Sequence, residues 1–94
     1  MLHGYLDLPT FTFWEEGNIW TGSVFQTFNY RIFKDTADDK NVLHAAVWYG
    51  LDCYDLVKPE DIRFDLTEEF SPDGLSRVID ALNVKADEYK KSLV

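Results

Sequence analysis

Through most of the chain apolar and polar residues alternate with a period of two, and only toward the carboxyl end does the spacing change to three and four. A period of two sends successive side chains to opposite faces of a strand, whereas threes and fours line one stripe of a helix. Leu2, Gly4, Leu6 and Leu8 alternate with His3, Tyr5 and Asp7, which predicts a first strand ending at Pro9. Residues 10–14 are expected to form a second strand and residues 19–25 a third, joined as a hairpin by Glu15-Glu16-Gly17-Asn18. The register of that hairpin decides where two tryptophans point. A two-residue loop at Gly17-Asn18 sets Trp14 and Trp20 on opposite faces. A type I turn over residues 15–17, with Gly17 left-handed, sets them on the same face. The second register is preferred, because glycine adopts the left-handed bulge position without strain and Phe11, Phe13 and Ile19 then line one apolar face.

A fourth strand is expected over residues 27–33, and the polar run 34–41 reads as its turn. Residues 42–51 carry the strongest strand signal. Leu43, Ala45, Val47, Tyr49 and Leu51 make one face, Val42, His44, Ala46, Trp48 and Gly50 the other, and both read as buried. After an irregular link, Ile62, Phe64 and Leu66 alternate with Arg63, Asp65 and Thr67 in a short last strand with a charged outer face. Ser71 followed by Pro72 and Asp73 is a helix start, and Leu75, Ile79, Leu82, Ala86, Tyr89 and Leu93 then recur at helical spacing. Asn83-Val84 leaves open a break within that helix, since asparagine can enter the left-handed region. The fold class is therefore α+β: an antiparallel meander of five to six strands with one carboxyl-terminal amphipathic helix packed on a face.

One helix offers one apolar stripe and covers one side of a sheet, yet residues 42–51 read as apolar on both. Something else has to cover the second side: a curl of the sheet, the link through Tyr54 and Val57, or a second copy of the chain. Trp14, Trp20, Trp48 and Tyr49 are the candidate contact residues, because large aromatics dominate protein interfaces. The reading that follows is a non-enzymatic interaction module, a homodimer or a binder of another protein, using an aromatic-rich sheet face or edge.

Composition narrows the alternatives. With 94 residues and a single cysteine, Cys53, the chain is expected to be one domain, residues 1–94, without a disulfide. The net charge of −8 is concentrated: residues 51–74 hold eight acids against Lys58 and Arg63. Without a basic stripe, direct nucleic-acid binding is not expected. No run approaches the ~18 apolar residues of a membrane helix, and no export signal opens the chain, so a cytoplasmic protein is expected. The acids Asp52, Asp55, Glu60, Asp61, Asp65, Glu68 and Glu69 support a second reading, in which spaced carboxylates imitate phosphates and occupy the groove of a basic nucleic-acid-binding protein. A third reading, a small-ligand or carbohydrate binder, rests on carboxylates such as Asp7 and Glu15 near Trp14 or Trp20. No catalytic constellation emerges. Cys53 and His44 lie in no nucleophile signature, His3 and His44 have no metal-ligand spacing, and the five glycines form no phosphate or dinucleotide loop, so neither a cofactor nor a metal is expected.

Overall fold

The computed structural model describes residues 2–93. Its elements run β1 (Leu2–His3), β2 (Leu6–Asp7), α1 (Thr12–Glu15), β3 (Trp20–Val24), β4 (Phe28–Ala37), β5 (Lys40–Tyr49), two short 3-10 turns (Tyr54–Leu56 and Pro59–Asp61), β6 (Phe64–Glu69) and α2 (Pro72–Ser92). Strands β3 to β6 form one antiparallel meander in chain order, while β1 and β2 make a separate two-stranded hairpin. The architecture is α+β as the periodicities require, but the meander has four strands rather than five or six.

The first expected strand is folded back on itself. Gly4 takes a left-handed φ of +63°, so Leu2 pairs with Asp7 and His3 with Leu6. The second expected strand is one turn of helix: Trp14 N–H donates to the Phe11 carbonyl at 3.0 Å and Glu15 N–H to the same oxygen at 3.2 Å. The hairpin joining residues 10–14 to 19–25 therefore does not exist. Gly17 is left-handed (φ +85°), yet it ends α1 by donating to the Trp14 carbonyl instead of turning a hairpin. An apolar run as short as residues 11–14 satisfies either period, and the helical turn prevails because it drops Trp14 into the core, fully buried, with its indole N–H on the Ile32 carbonyl at 2.9 Å.

The β4–β5 hairpin is longer than expected. Residues 34–41 do not form a loop: the two strands pair out to Ala37 and Lys40 and turn over Asp38-Asp39, both with positive φ. This arm stands clear of the helix, and its side chains are exposed, which is why its sequence is polar. Helix α2 starts where expected. Ser71 is extended and its hydroxyl accepts the Gly74 N–H at 3.0 Å, with Pro72 in the first turn. It runs unbroken through Asn83, because the Asn83 amide is engaged elsewhere. Its oxygen accepts the Tyr5 N–H at 2.8 Å and its nitrogen donates to the His3 carbonyl at 3.0 Å, tying the amino-terminal hairpin to the helix.

Cross-strand register sorts the sheet into two faces. Phe28, Tyr30 and Ile32 of β4, Leu43, Ala45 and Val47 of β5, and Phe64 and Leu66 of β6 share the face under α2, whose Leu75, Val78, Leu82 and Ala86 are buried against them. Trp14, Leu6 and Leu8 complete that core. The shortest dimension is 18 Å, the depth of one sheet and one helix, so among the described residues no second sheet or long helix lies over the other face.

Candidate interaction surface

The second face carries Asn29, Arg31, Phe33 and Asp35 of β4, His44, Ala46 and Trp48 of β5, and Asp65 of β6. The end of it around Trp48 is covered by the chain itself. Gly50, with φ +113°, turns the backbone at the end of β5, and residues 51–61 fold back over Trp48. Three contacts hold them there: the Trp48 indole N–H donates to the Asp52 carbonyl at 2.7 Å, the Asn29 amide donates to the Gly50 carbonyl at 2.9 Å, and the Tyr54 ring meets Trp48 edge-on at 5.5 Å. Trp48 is consequently 2% exposed. The Arg31 guanidinium lies 4.1 Å above the Tyr54 ring and also over Phe33, a cation held by two aromatic faces.

Toward the arm this stack continues into a charged group. Phe33 stacks on His44 at 4.8 Å, and His44 reaches Asp35 through Nδ1 (3.1 Å) and Asp65 through Nε2 (3.5 Å). The hydrogen bond from His44, together with the Thr36 N–H, holds the Asp35 carboxyl below the usual carboxylate range. A lowered folded-state value means the stabilisation is complete above the unfolded value and disappears as pH falls through the folded one. Asp35→Asn is therefore expected to flatten the acid limb of the stability profile between about pH 5 and pH 3, read as urea midpoints of the two proteins.

The outer side of the loop differs from the inner. Leu51 is 88% and Leu56 69% exposed, and Asp52, Asp55, Glu60 and Asp61 of the same segment are exposed as well. Beside Leu56, a shallow cleft of about 120 Å³ is lined by Tyr49, Asp52, Leu56, Val57, Asp61 and Arg63. Ligand sites for small molecules occupy ~300–1,000 Å³, so this cleft fits a side chain rather than a drug-sized compound.

The four aromatics singled out in the sequence are not gathered on one surface. Trp14 is wholly inside the core and Trp48 lies beneath the loop, so neither offers an open face to a partner or a sugar. Trp20 is half-buried against Phe13, and Tyr49 is the exposed member, stacked on Tyr89 at 4.4 Å. The seven acids separate as well. Asp52, Asp55, Glu60 and Asp61 cluster on the loop and the second 3-10 turn, whereas the three acids of β6 point both ways: Asp65 to His44, Glu69 to the Ser71 hydroxyl, and Glu68 to Arg77 at 2.7 Å on the helix side. A phosphate-like row along these acids thus has four members, not seven. Sequence reasoning missed Leu51 as an exposed residue and did not single out Leu56. In residues 51–57 apolar and acidic positions follow neither period, and that irregularity was the available signal.

Among the described residues no group of acids, histidines and cysteines is arranged to hold a metal ion, and no helix is long and apolar enough to cross a membrane. The chain matches no family model, no curated protein and no solved structure.

Proposed function

We propose that this chain is a non-enzymatic protein-interaction module of the cytoplasm that binds through the loop over residues 50–61. The observation that carries the reading is the exposure of Leu51 and Leu56 on a segment whose backbone is pinned at Gly50 and Asp52 by the Asn29 and Trp48 hydrogen bonds and turned at Leu56 by its N–H to the Cys53 carbonyl. A loop held in place loses little entropy when it binds, and two leucines presented on it gain most of what burial yields, about 1.5–3 kcal/mol each. The four acids of the same segment, Asp52, Asp55, Glu60 and Asp61, against its one base Lys58, indicate the partner's chemistry: an apolar depression with lysine or arginine beside it. This joins the interaction reading to the acidic one, with the carboxylates steering the encounter and the leucines holding the complex.

Photo-crosslinking in cells of the source organism tests it, with the reactive side chain placed at position 51, at position 56, or at Val84 on the exposed side of α2 as a control. The expected result is one adduct shared by positions 51 and 56 and absent at 84. Leu56→Ser is expected to weaken the purified complex by roughly tenfold or more, and added salt to weaken it further. Equal labelling from all three positions contradicts the proposal.

A further inference from the structure

The two edges of the sheet are built differently. β6 carries acids on both faces, Asp65 and Glu69 on one and Glu68 on the other. Paired antiparallel with a second β6, it would set Asp65 opposite Glu69 twice, and like charges directly opposed destabilise a strand pair. β6 is therefore an edge protected against its own copy. β3, the other edge, reads Trp20-Thr21-Gly22-Ser23-Val24, with neither a charge nor a proline, although it is short and β2 of the amino-terminal hairpin lies near it.

We propose that β3 pairs antiparallel with β3 of a second copy about a two-fold axis at Gly22, joining the two four-stranded sheets into one. This register uses all five residues. It sets Trp20 opposite the second copy's Val24 on the core face, an aromatic against a β-branched side chain, and Thr21 opposite the second copy's Ser23 on the other, two hydroxyls able to hydrogen-bond. Each contact occurs twice, as a two-fold interface requires, and the backbone ladder supplies the attraction. Thr21 and Ser23 are exposed, so the side chains on that face are free to meet those of a second copy. The interface is small, and the expected dissociation constant is on the order of 10–100 µM.

This inference is independent of the leucine loop, and salt separates the two. Each chain carries −8 while β3 is neutral, so screening relieves the repulsion between copies and tightens the dimer; the loop's contact with a basic partner weakens instead. Sedimentation equilibrium is the test. The expected result is a mass rising with concentration from the 11.0 kDa monomer toward twice that value, more steeply at higher salt. The double variant T21K/S23K, which opposes lysines across the axis, is expected to be monomeric, and T21K/S23E, which opposes lysine to glutamate, is expected to dimerise again. Far-UV circular dichroism matching that of the wild type, with both variants and the wild type at a concentration dilute enough to be monomeric, shows that the fold is intact. A wild-type chain that stays monomeric at several times the expected dissociation constant overturns the proposal, as does a T21K/S23K variant that still dimerises. Failure of T21K/S23E to recover the dimer overturns the register.

Discussion

Replacing Gly74 by alanine is expected to destabilise the protein by about 1–3 kcal/mol, the cost of forcing extra volume into a packed site. The sign is the reverse of the usual one, since exchanging glycine for alanine inside a helix ordinarily gains ~0.5–1 kcal/mol. Gly74 lies in the first turn of α2, buried, where the helix leaves β6, and a β-carbon there would overlap the Glu69 carbonyl oxygen. That oxygen belongs to the backbone of the strand, so nothing flexible can move aside. The helix has to lift, and with it the Ser71 cap and the contacts of Leu75 and Val78. Urea denaturation followed by circular dichroism measures the loss; a stability equal to or above that of the wild type would show that α2 does not start against β6.

Trp14→Ala is expected to cost more, about 3–5 kcal/mol, against the 5–15 kcal/mol that stabilises a typical domain. The ring is wholly buried and its N–H satisfies the Ile32 carbonyl, so truncation leaves a cavity and an unpaired acceptor together. Trp14→Phe keeps much of the volume and loses the hydrogen bond, and is expected to fall between the two. Thermal unfolding of the three proteins orders them. A Trp14→Ala protein with wild-type stability would mean that residues 10–15 do not plug the core.

The parts of this fold that could be read from sequence are those in which a long stretch repeats one period or a cap has its own chemistry. Residues 42–51 read as a strand buried on both sides, and Trp48 on one face and Val47 on the other are buried as that pattern requires, but the strand ends at Tyr49, which is exposed, and Leu51 lies in the loop beyond Gly50, also exposed. Ser71-Pro72 marks the helix start because a hydroxyl and a missing N–H are needed there and nowhere later. Short segments were not legible. Residues 11–14 fit strand and helix equally, and only the space under Ile32 decides between them; the alternation in residues 2–8 conceals a reversal that depends on the φ of Gly4. The polar arm over residues 34–41 resembled a loop because a hairpin projecting into water has no apolar face to reveal it.

The candidate site followed the same rule. That the second face of the sheet needed a cover was legible from the two apolar faces of residues 42–51, and the link through Tyr54 was one of the covers considered. Which cover prevails was not legible, because it depends on the Trp48 indole reaching a backbone carbonyl four residues later, and no side-chain pattern records that bond. Once the loop supplies the cover, Trp48 ceases to be surface, and the two most exposed large apolar side chains among the described residues, Leu51 and Leu56, lie on the loop itself, in no periodic segment.

The binding surface depends on the chain itself covering Trp48 on the second face of the sheet. Exchange of the indole N–H protons with solvent, followed by NMR on a sample dilute enough to be monomeric, tests it most directly. The Trp48 proton, bonded to the Asp52 carbonyl, is expected to be protected like that of Trp14 and to stay protected at every concentration. A Trp48 proton that exchanges freely in the dilute monomer, and becomes protected only as the chains associate, would show that a partner and not the loop provides the cover.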